Sequence, residues 1–294
     1  MKGILVVNSF LDNAKFREIY GILKAAFLGK GAGLDIVKNG ELPHSVGALA
    51  DVAAAYDFGV FWDKDFVLAK ELEYAGLRLF NRADAVLRCD NKAYTAMELE
   101  KAGIRTPETF TAPLTFEGIG YRGTGFLDEA AAVIGYPMII KELYGSFGQQ
   151  VRLVRSREEA LSVIVELGSK GFLMQRYVKS FSGRDIRVNV VGEAAVASML
   201  RFSVNGDFRS NITNGGHAVA CGISPETERA AIAAVKALGL DFGGVDILLD
   251  EGEPLVCEVN SNPHFKSTFD ATGVNVADFV ADHVTEAVRR ERAN

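Results

Sequence analysis

Two hydrophobic periods alternate along this chain. Short apolar runs predict strands, and longer stretches with apolar positions three and four apart predict helices. In residues 1–88, strands are expected over 4–7, 34–37 and 58–62. A helix is expected over 15–28, where Phe16, Ile19, Tyr20, Leu23 and Phe27 keep helical spacing, and another over 66–75, ended by Gly76. Alternation of this kind predicts a small doubly wound, Rossmann-like α/β unit. Its first strand runs into Asn8-Ser9-Phe10-Leu11-Asp12 and not into a Gly-rich fingerprint.

The pattern changes near residue 89. A helix over 90–102 is stopped by Gly103, and Pro107 follows. A helix near 126–134 leads to strands at 137–141 and 150–154 around a Gly-rich turn. Ser156-Arg157-Glu158-Glu159 has the form of a capping box and opens a helix to 167. A strand at 172–175 completes a compact α+β lid over 89–175. Residues 176–294 form a third, α+β lobe, with strands at 186–191, 195–201, 245–249 and 255–259 and helices over 225–238 and 276–290.

Within that lobe, two apolar runs flank the polar turn Asp250-Glu251-Gly252-Glu253, which is a hairpin signal. Centred on Gly252, the hairpin sets Asp246 opposite Glu258, and directly opposed side chains share a face. Asn260 lies two residues on and shares that face. Leu248 and Val256 are expected there too, which favours burial over an exposed acidic strand. Two carboxylates and an amide oxygen so placed would repel unless a cation stood between them, and hard oxygen ligands suit Mg²⁺ bound together with phosphates.

Phosphates need positive charge and backbone N–H donors. Lys141 precedes the small-residue loop Gly145-Ser146-Phe147-Gly148, and Lys92 stands at a helix start in Asp90-Asn91-Lys92. Each has a plainer reading as a solvated lysine. Phe172 to Val178 is an apolar strand running into a polar break, where backbone could face a purine or simply cross between lobes. From Gly183 on, Arg184, Asp185, Arg187, Arg201 and Arg209-Ser210-Asn211 concentrate charge. Arginines converging on the carboxylate pair would suit anionic oxygens; surface ion pairs are the alternative. Asn214-Gly215-Gly216 reads as a tight turn, and His217 after it as structural or substrate-adjacent.

Composition narrows the class. The chain has 294 residues, 48% hydrophobic, 30 glycines and a net charge of −6, as in a globular α/β protein with no call for nucleic acid. Cys89, Cys221 and Cys257 show no metal spacing. Cys257 reads as core, and a reducing, cytoplasmic setting fits. No run is long enough for a membrane span. Gly118-Ile119-Gly120-Tyr121-Arg122-Gly123 matches the dinucleotide fingerprint but lacks a clean preceding strand and a later acidic partner, so it reads as a loop.

Together, Asp90-Asn91-Lys92, Thr95, Gly103-Ile104-Arg105-Thr106-Pro107, Tyr136-Pro137, Lys141 and Gln175-Arg176-Tyr177-Val178 run in a specific order. Arg184-Asp185-Ile186-Arg187-Val188, Phe208-Arg209-Ser210-Asn211, Asn214-Gly215-Gly216, Gly243-Gly244-Val245-Asp246 and Glu258-Val259-Asn260-Ser261 follow. In this order the chain resembles the ATP-grasp superfamily, and within it the RimK-like carboxylate–amine ligases of alpha-L-glutamate type. The resemblance implies ATP between lid and C-terminal lobe. It implies phosphate contacts from Lys92, Lys141 and the Ser146 loop, and adenine beside Gln175, Arg176, Tyr177 and Val178. Asp185 would meet the ribose, with Arg187 nearby. Arg209, Ser210 and Asn211 would contact nucleotide and reactive phosphate, and Arg201 would face the acyl-phosphate. Asp246, Glu258 and Asn260 would hold Mg²⁺, or Mn²⁺ in its place.

The implied reaction joins a small-molecule or peptide carboxylate to an amino acid such as glutamate through an acyl-phosphate, releasing ADP. Relatives often associate, so a homo-oligomer is implied. A phosphotransferase and a non-catalytic nucleotide-binding module are the alternatives. One departure stands out. The run Asn262-Pro263-His264-Phe265 sets an imidazole and a ring where many relatives carry Gly after Pro, and this, with the insertion over 112–125, bears on the choice of substrate.

Overall fold

A computed structural model describes residues 1–145, 148–210 and 215–293. Along the chain lie β1 (Lys2–Val7), α1 (Ala14–Gly29), β2 (Gly33–Lys38), α2 (Ala50–Ala54), β3 (Phe58–Phe61), α3 (Phe66–Tyr74), β4 (Leu79–Phe80) and α4 (Ala83–Asp90). Next come α5 (Lys92–Lys101), β5 (Thr109–Thr111), α6 (Gly125–Ile134), β6 (Met138–Glu142), β7 (Val151–Val154), α7 (Arg157–Leu167) and β8 (Phe172–Arg176). The last third holds β9 (Arg184–Val191), β10 (Ala194–Phe202), β11 (His217–Ala220), α8 (Pro225–Leu238), β12 (Phe242–Asp250), β13 (Glu253–Asn260), α9 (Lys266–Thr272) and α10 (Val276–Ala293).

These strands form three sheets. The first is parallel, in the order β2-β1-β3-β4. The second is antiparallel, β5-β8-β6-β7, and the third is antiparallel, β11-β10-β9-β12-β13. The longer expected elements stand within a few residues of their predicted bounds, and α8 matches its span.

The helix expected over 90–102 is α5, which begins two residues later, at Lys92, because a separate helix, α4, ends at Asp90. Asn91 is extended (φ −83°, ψ 106°), and its side-chain oxygen accepts from Ala93 and Tyr94 N–H, as an N-cap does. Lys92 therefore opens α5, at a helix start as expected. Ser156 caps α7 as expected, through Glu159 N–H. Glu159 returns its bond one residue further out, to Arg155 N–H at 2.8 Å.

One core joins the two ends of the chain. Leu5, Val7, Phe58 and Val60 of the first sheet pack with Leu23 and Phe27 of α1 and with Val280 and Val284 of α10. The buried Asn81 side chain then ties the first sheet to the third. It donates to the Phe242 and Ser261 carbonyls at 2.9 and 2.8 Å and accepts from Asp241 and Phe242 N–H at 2.6 and 3.1 Å. Among the described residues no helix is long and apolar enough to cross a membrane.

Candidate active site

The β12–β13 hairpin does set Asp246 opposite Glu258, and Gly244 opposite Asn260. The route differs from the expectation. Asp250 pairs with Glu253, so Glu251 and Gly252 form a two-residue turn. Both have positive φ, 52° and 93°, as a type I′ hairpin requires. That register alone would bring Cys257 opposite Asp246. A bulge leaves Cys257 unpaired and moves Glu258 into place. As a result Leu255, not Val256, lies opposite Leu248. Nor is Cys257 a core residue: its half-buried thiol lies 3.4 Å from Lys141 Nζ, on the wall of a cleft.

Guanidinium groups hold Asp246. Arg187 donates from Nε to Oδ1 and from Nη2 to Oδ2 at 2.9 Å, and Arg201 Nη2 lies 2.8 Å from Oδ1. Arg201 also grips Asp185 through Nε at 2.6 Å and Nη2 at 2.9 Å, and the Ser210 hydroxyl donates to the same carboxylate. The register builds this group, because Arg187 is the cross-strand partner of Asp246 and Arg201 that of Asp185. All four residues are at most 8% exposed, which rules out surface ion pairs. Burial pushes the Asp246 carboxyl up, but Arg187 and Arg201 outweigh it and hold it below the usual range. Arg209 does not join them. It pairs with Asp207 at 2.8 Å and donates to the Gly148 carbonyl at 2.9 Å.

Glu258 and Asn260 are partly buried, and among the described residues neither side chain is bonded to a cation. The described residues hold no cluster of three or more His, Cys, Asp or Glu fit for a metal. Glu258 and Asn260 offer a carboxylate and an amide oxygen, while Asp246 beside them is already held by two guanidinium groups. A carboxylate free among the described residues and an amide oxygen fit Mg²⁺, which takes one or two protein carboxylates and completes its shell with water and phosphate oxygens.

Both expected lysines reach this place. Lys141 is buried in β6, with Nζ 2.7 Å from Gln175 Oε1. Lys92 donates to the Gly145 carbonyl at 3.1 Å, and burial lowers its pKa. Lys92, Lys141, Gln175 and Glu258 line one small cavity. Beside it a cavity of about 110 Å³ is lined by Gln175, Arg176, Tyr177, Val178, Asp185 and Ser210, among others. Arg176 itself is engaged by Glu108 and Asp250, and the Tyr177 hydroxyl by Ser182. Ser146, Asn211 and Asn214 lie outside the described residues. His217 stacks on Phe202 at the β11 edge, with centroids 5.9 Å apart, and lines none of these cavities.

A larger cleft of about 470 Å³ opens on the other side of the carboxylate pair. Arg201, Asp246, Glu258 and Gly148 border both it and the 110 Å³ cavity. Its far wall comes from the first sheet and α1: Asn8, Lys15, Phe16, Tyr20, Asp63 and Lys64. Sequence reading assigned none of these a role. The available signal was their place after the first and third strands, since ligands bind outside the carboxyl ends of parallel strands. His264 also lines the cleft. Its Nε2 is buried without a hydrogen-bond partner, its ring lies edge-on to Phe16, and burial, helped by the charge of Lys15, lowers its pKa to about 4.

The fold is shared with solved proteins. A RimK domain ATP-grasp protein from Sphaerobacter thermophilus superposes with a TM-score of 0.72 at 21% identity, covering 96% of this chain and 99% of that one. A D-alanine–D-alanine ligase from Bacillus anthracis complexed with ATP gives 0.73 at 17% identity, covering 100% and 99%. At these identities the likeness is one of fold. The profile of the RimK-like ATP-grasp domain matches residues 89–284, and the chain belongs to that family. It is 36% identical over 224 residues to human N-acetylaspartylglutamate synthase A, covering 75% of this chain and 56% of that protein. It is 37% identical over 229 residues to a probable alpha-L-glutamate ligase 2 of Shewanella amazonensis, covering 77% and 73%. The chain thus spans little more than half the length of the human relative.

Proposed function

We propose that the protein is an ATP-dependent ligase that joins a carboxylate substrate to an amino acid, glutamate-like, through an acyl-phosphate, with ADP and phosphate as products. The observation that carries this reading is the meeting of two cavities at Arg201, Asp246 and Glu258. One cavity is walled by Gln175, Arg176, Tyr177, Val178 and Asp185, the residues assigned here to the nucleotide, and the other, of about 470 Å³, is assigned to the substrates. The names of the relatives supply the product class. In this reading residues 1–88 are a Rossmann-like unit, 89–175 a lid and 176–294 the lobe carrying the Mg²⁺ hairpin.

When bound, Mg·ATP supplies the phosphoryl group and the charge neutralisation for its transfer. Glu258, Asp246 and Asn260 would hold the metal, and Lys92 and Lys141 would hold the phosphates. Arg201 and Arg187 are fixed by the buried carboxylates, so their remaining N–H groups point at fixed places. Donors fixed before reaction need no reorganisation during it. The segment from Gln175 to Val178, the end of β8 and the two residues after it, would offer backbone to the adenine. Asp185 is committed to Arg201 and Ser210, so its contact with a ribose would be shared with that task. Ser146, Arg209 and Asn211 complete the proposed nucleotide contacts. Three free cysteines fit a reducing, cytoplasmic setting.

The test is the Glu258→Gln variant. Its turnover, read as ADP release with a carboxylate and an amino acid present, is expected to fall at least about 100-fold. Its melting temperature should match that of the parent, because Glu258 bonds to no described cation. Parent-like turnover would remove the metal role. Mass gain of the acceptor by the amino-acid residue, rather than by phosphate, separates a ligase from a phosphotransferase.

A further inference from the structure

The large cleft has a wall that the nucleotide reading does not use. Strand order β2-β1-β3-β4 means that the chain leaves β1 in one direction and β3 in the other. The carboxyl ends of β1 and β3 therefore flank a crevice of the kind in which parallel sheets bind ligands. Asn8 follows β1, and Asp63 follows β3 by two residues. Asn8 Nδ2 donates to Asp63 at 3.1 and 3.4 Å, and Lys64 N–H donates to it at 2.7 Å. Asn262 Nδ2 reaches the Trp62 carbonyl at 3.4 Å, which holds this strand end beside the segment that follows Asn260.

Five carboxylates line the cleft: Glu18, Asp63, Asp246, Glu258 and Asp270. Asp246 is held by two arginines. Glu18 and Asp270 share Lys266. Glu258 belongs to the proposed metal site. Lys64, the basic side chain next to Asp63, is turned to Asp90. Asp63 is thus a carboxylate, 4% exposed, bonded among the described residues only to neutral donors. A buried carboxylate without a cation is costly unless a ligand supplies one, and its oxygens retain lone pairs beyond those that Asn8 and Lys64 fill.

We propose that Asp63, oriented by Asn8, receives the amine substrate: its carboxylate binds the ammonium group and takes the proton that must leave before nitrogen can attack. This rests on the ligase reading above. The step balances as follows. Asp63 goes from carboxylate to carboxylic acid as the ammonium becomes a neutral amine. The nitrogen lone pair forms the C–N bond at the acyl-phosphate carbonyl. The C–O bond to phosphate breaks, phosphate leaves with its electron pair, and the second N–H proton leaves with it. Burial raises the proton affinity of Asp63 above that of an ordinary aspartate, which suits a proton acceptor. The opposite side of the cleft, with Arg187 and Arg201, is left for the carboxylate acceptor.

The test compares two nucleophiles in parent and Asp63→Asn proteins with Mg·ATP. Glutamate arrives as an ammonium, whereas hydroxylamine is already uncharged at neutral pH and traps an acyl-phosphate as a hydroxamate. The carboxylate probes are the twenty amino acids, their N-acetyl derivatives and citrate. Asparagine keeps the shape of Asp63 and the bond from Lys64 N–H, and nucleotide affinity by calorimetry checks the fold. We expect amide formation to fall at least 100-fold in the variant, with hydroxamate formation within about threefold of the parent. Amide formation at the parent rate, or an equal loss of both products, overturns the role of Asp63 and leaves the ligase reading standing. Absence of hydroxamate and amide from the parent with every probe overturns the ligase reading, and this role with it.

Discussion

At the scale of single residues, the site is a balance of buried charge. Arg201 serves two carboxylates, Asp185 and Asp246. Arg201→Ala would leave Asp185 buried without the one cation paired to it among the described residues. Breaking such a pair costs about 3–5 kcal/mol, so chemical denaturation should show that loss. The double variant Arg201→Met with Asp185→Leu should recover part of it, because no orphaned charge remains. His264 carries a pH dependence. Its folded pKa of about 4 lies below the ordinary 6.5, so the unfolded chain binds the proton first as pH falls. Unfolding free energy should therefore decline from about pH 6.5 towards 4, by roughly 3 kcal/mol at most from this group. His264→Gln should flatten that slope in a pH series of urea melts. Part of this was legible beforehand, since the hairpin sets Asp246 against Glu258 and alternation sets Arg187 with Asp185, while Arg201 entered through the resemblance. Their partners were not. The alternation shows that Arg187 and Asp185 face one way, but not that each meets a carboxylate or guanidinium on the neighbouring strand.

At the scale of elements, most longer helices and strands were legible, and so were the four-residue β3 and β7. β4, β5, β11, α2, α4 and α9 were not; they are two to eight residues long and offer at most about two repeats of their period. The break at Asn91 was hidden because Asp90 and Asn91 both look like helix starts. Only the packing of α4 against α5, with Thr95 Oγ1 donating to the Arg88 and Cys89 carbonyls at 2.9 and 3.1 Å, selects Asn91 as the cap. The consequence reaches the site, since Lys92 becomes the first residue of a helix aimed at the Gly145 turn. The hairpin teaches the same lesson. A turn centred on Gly252 and a two-residue turn with a bulge place Glu258 identically but Val256 and Cys257 differently. The bulge belongs to an edge strand whose outer N–H at Val256 donates to the Arg105 carbonyl at 2.9 Å. That contact comes from another part of the chain.

At the scale of the molecule, the cleft exists because the first and third sheets are fixed to one another. α1 and α10 share a core across the whole length of the sequence, and Asn81 bridges the sheets with four hydrogen bonds. Asn81→Ala would leave buried backbone groups unpaired at about 1–3 kcal/mol each. Its melting temperature should fall markedly, and substrate affinity should fall more than nucleotide affinity, because the nucleotide cavity lies between the second and third sheets. Retention of both at parent levels would deny the clamp.

What the sequence determined by itself was local: periods of two and 3.6, the capping of α7, the acidic hairpin, and lysines and arginines of the right kind for phosphate. Those features depend on residues a few positions apart, and the backbone geometry of strand and helix converts spacing into facing. Only the tertiary structure decided which charges neutralise which, and that among the described residues Asp63 is bonded to neutral donors alone. Asp63 and Asn8 are 55 positions apart, and Arg187 and Asp246 are 59 apart. No local period spans such distances, because the pairing follows from sheet order and register, which long-range packing sets.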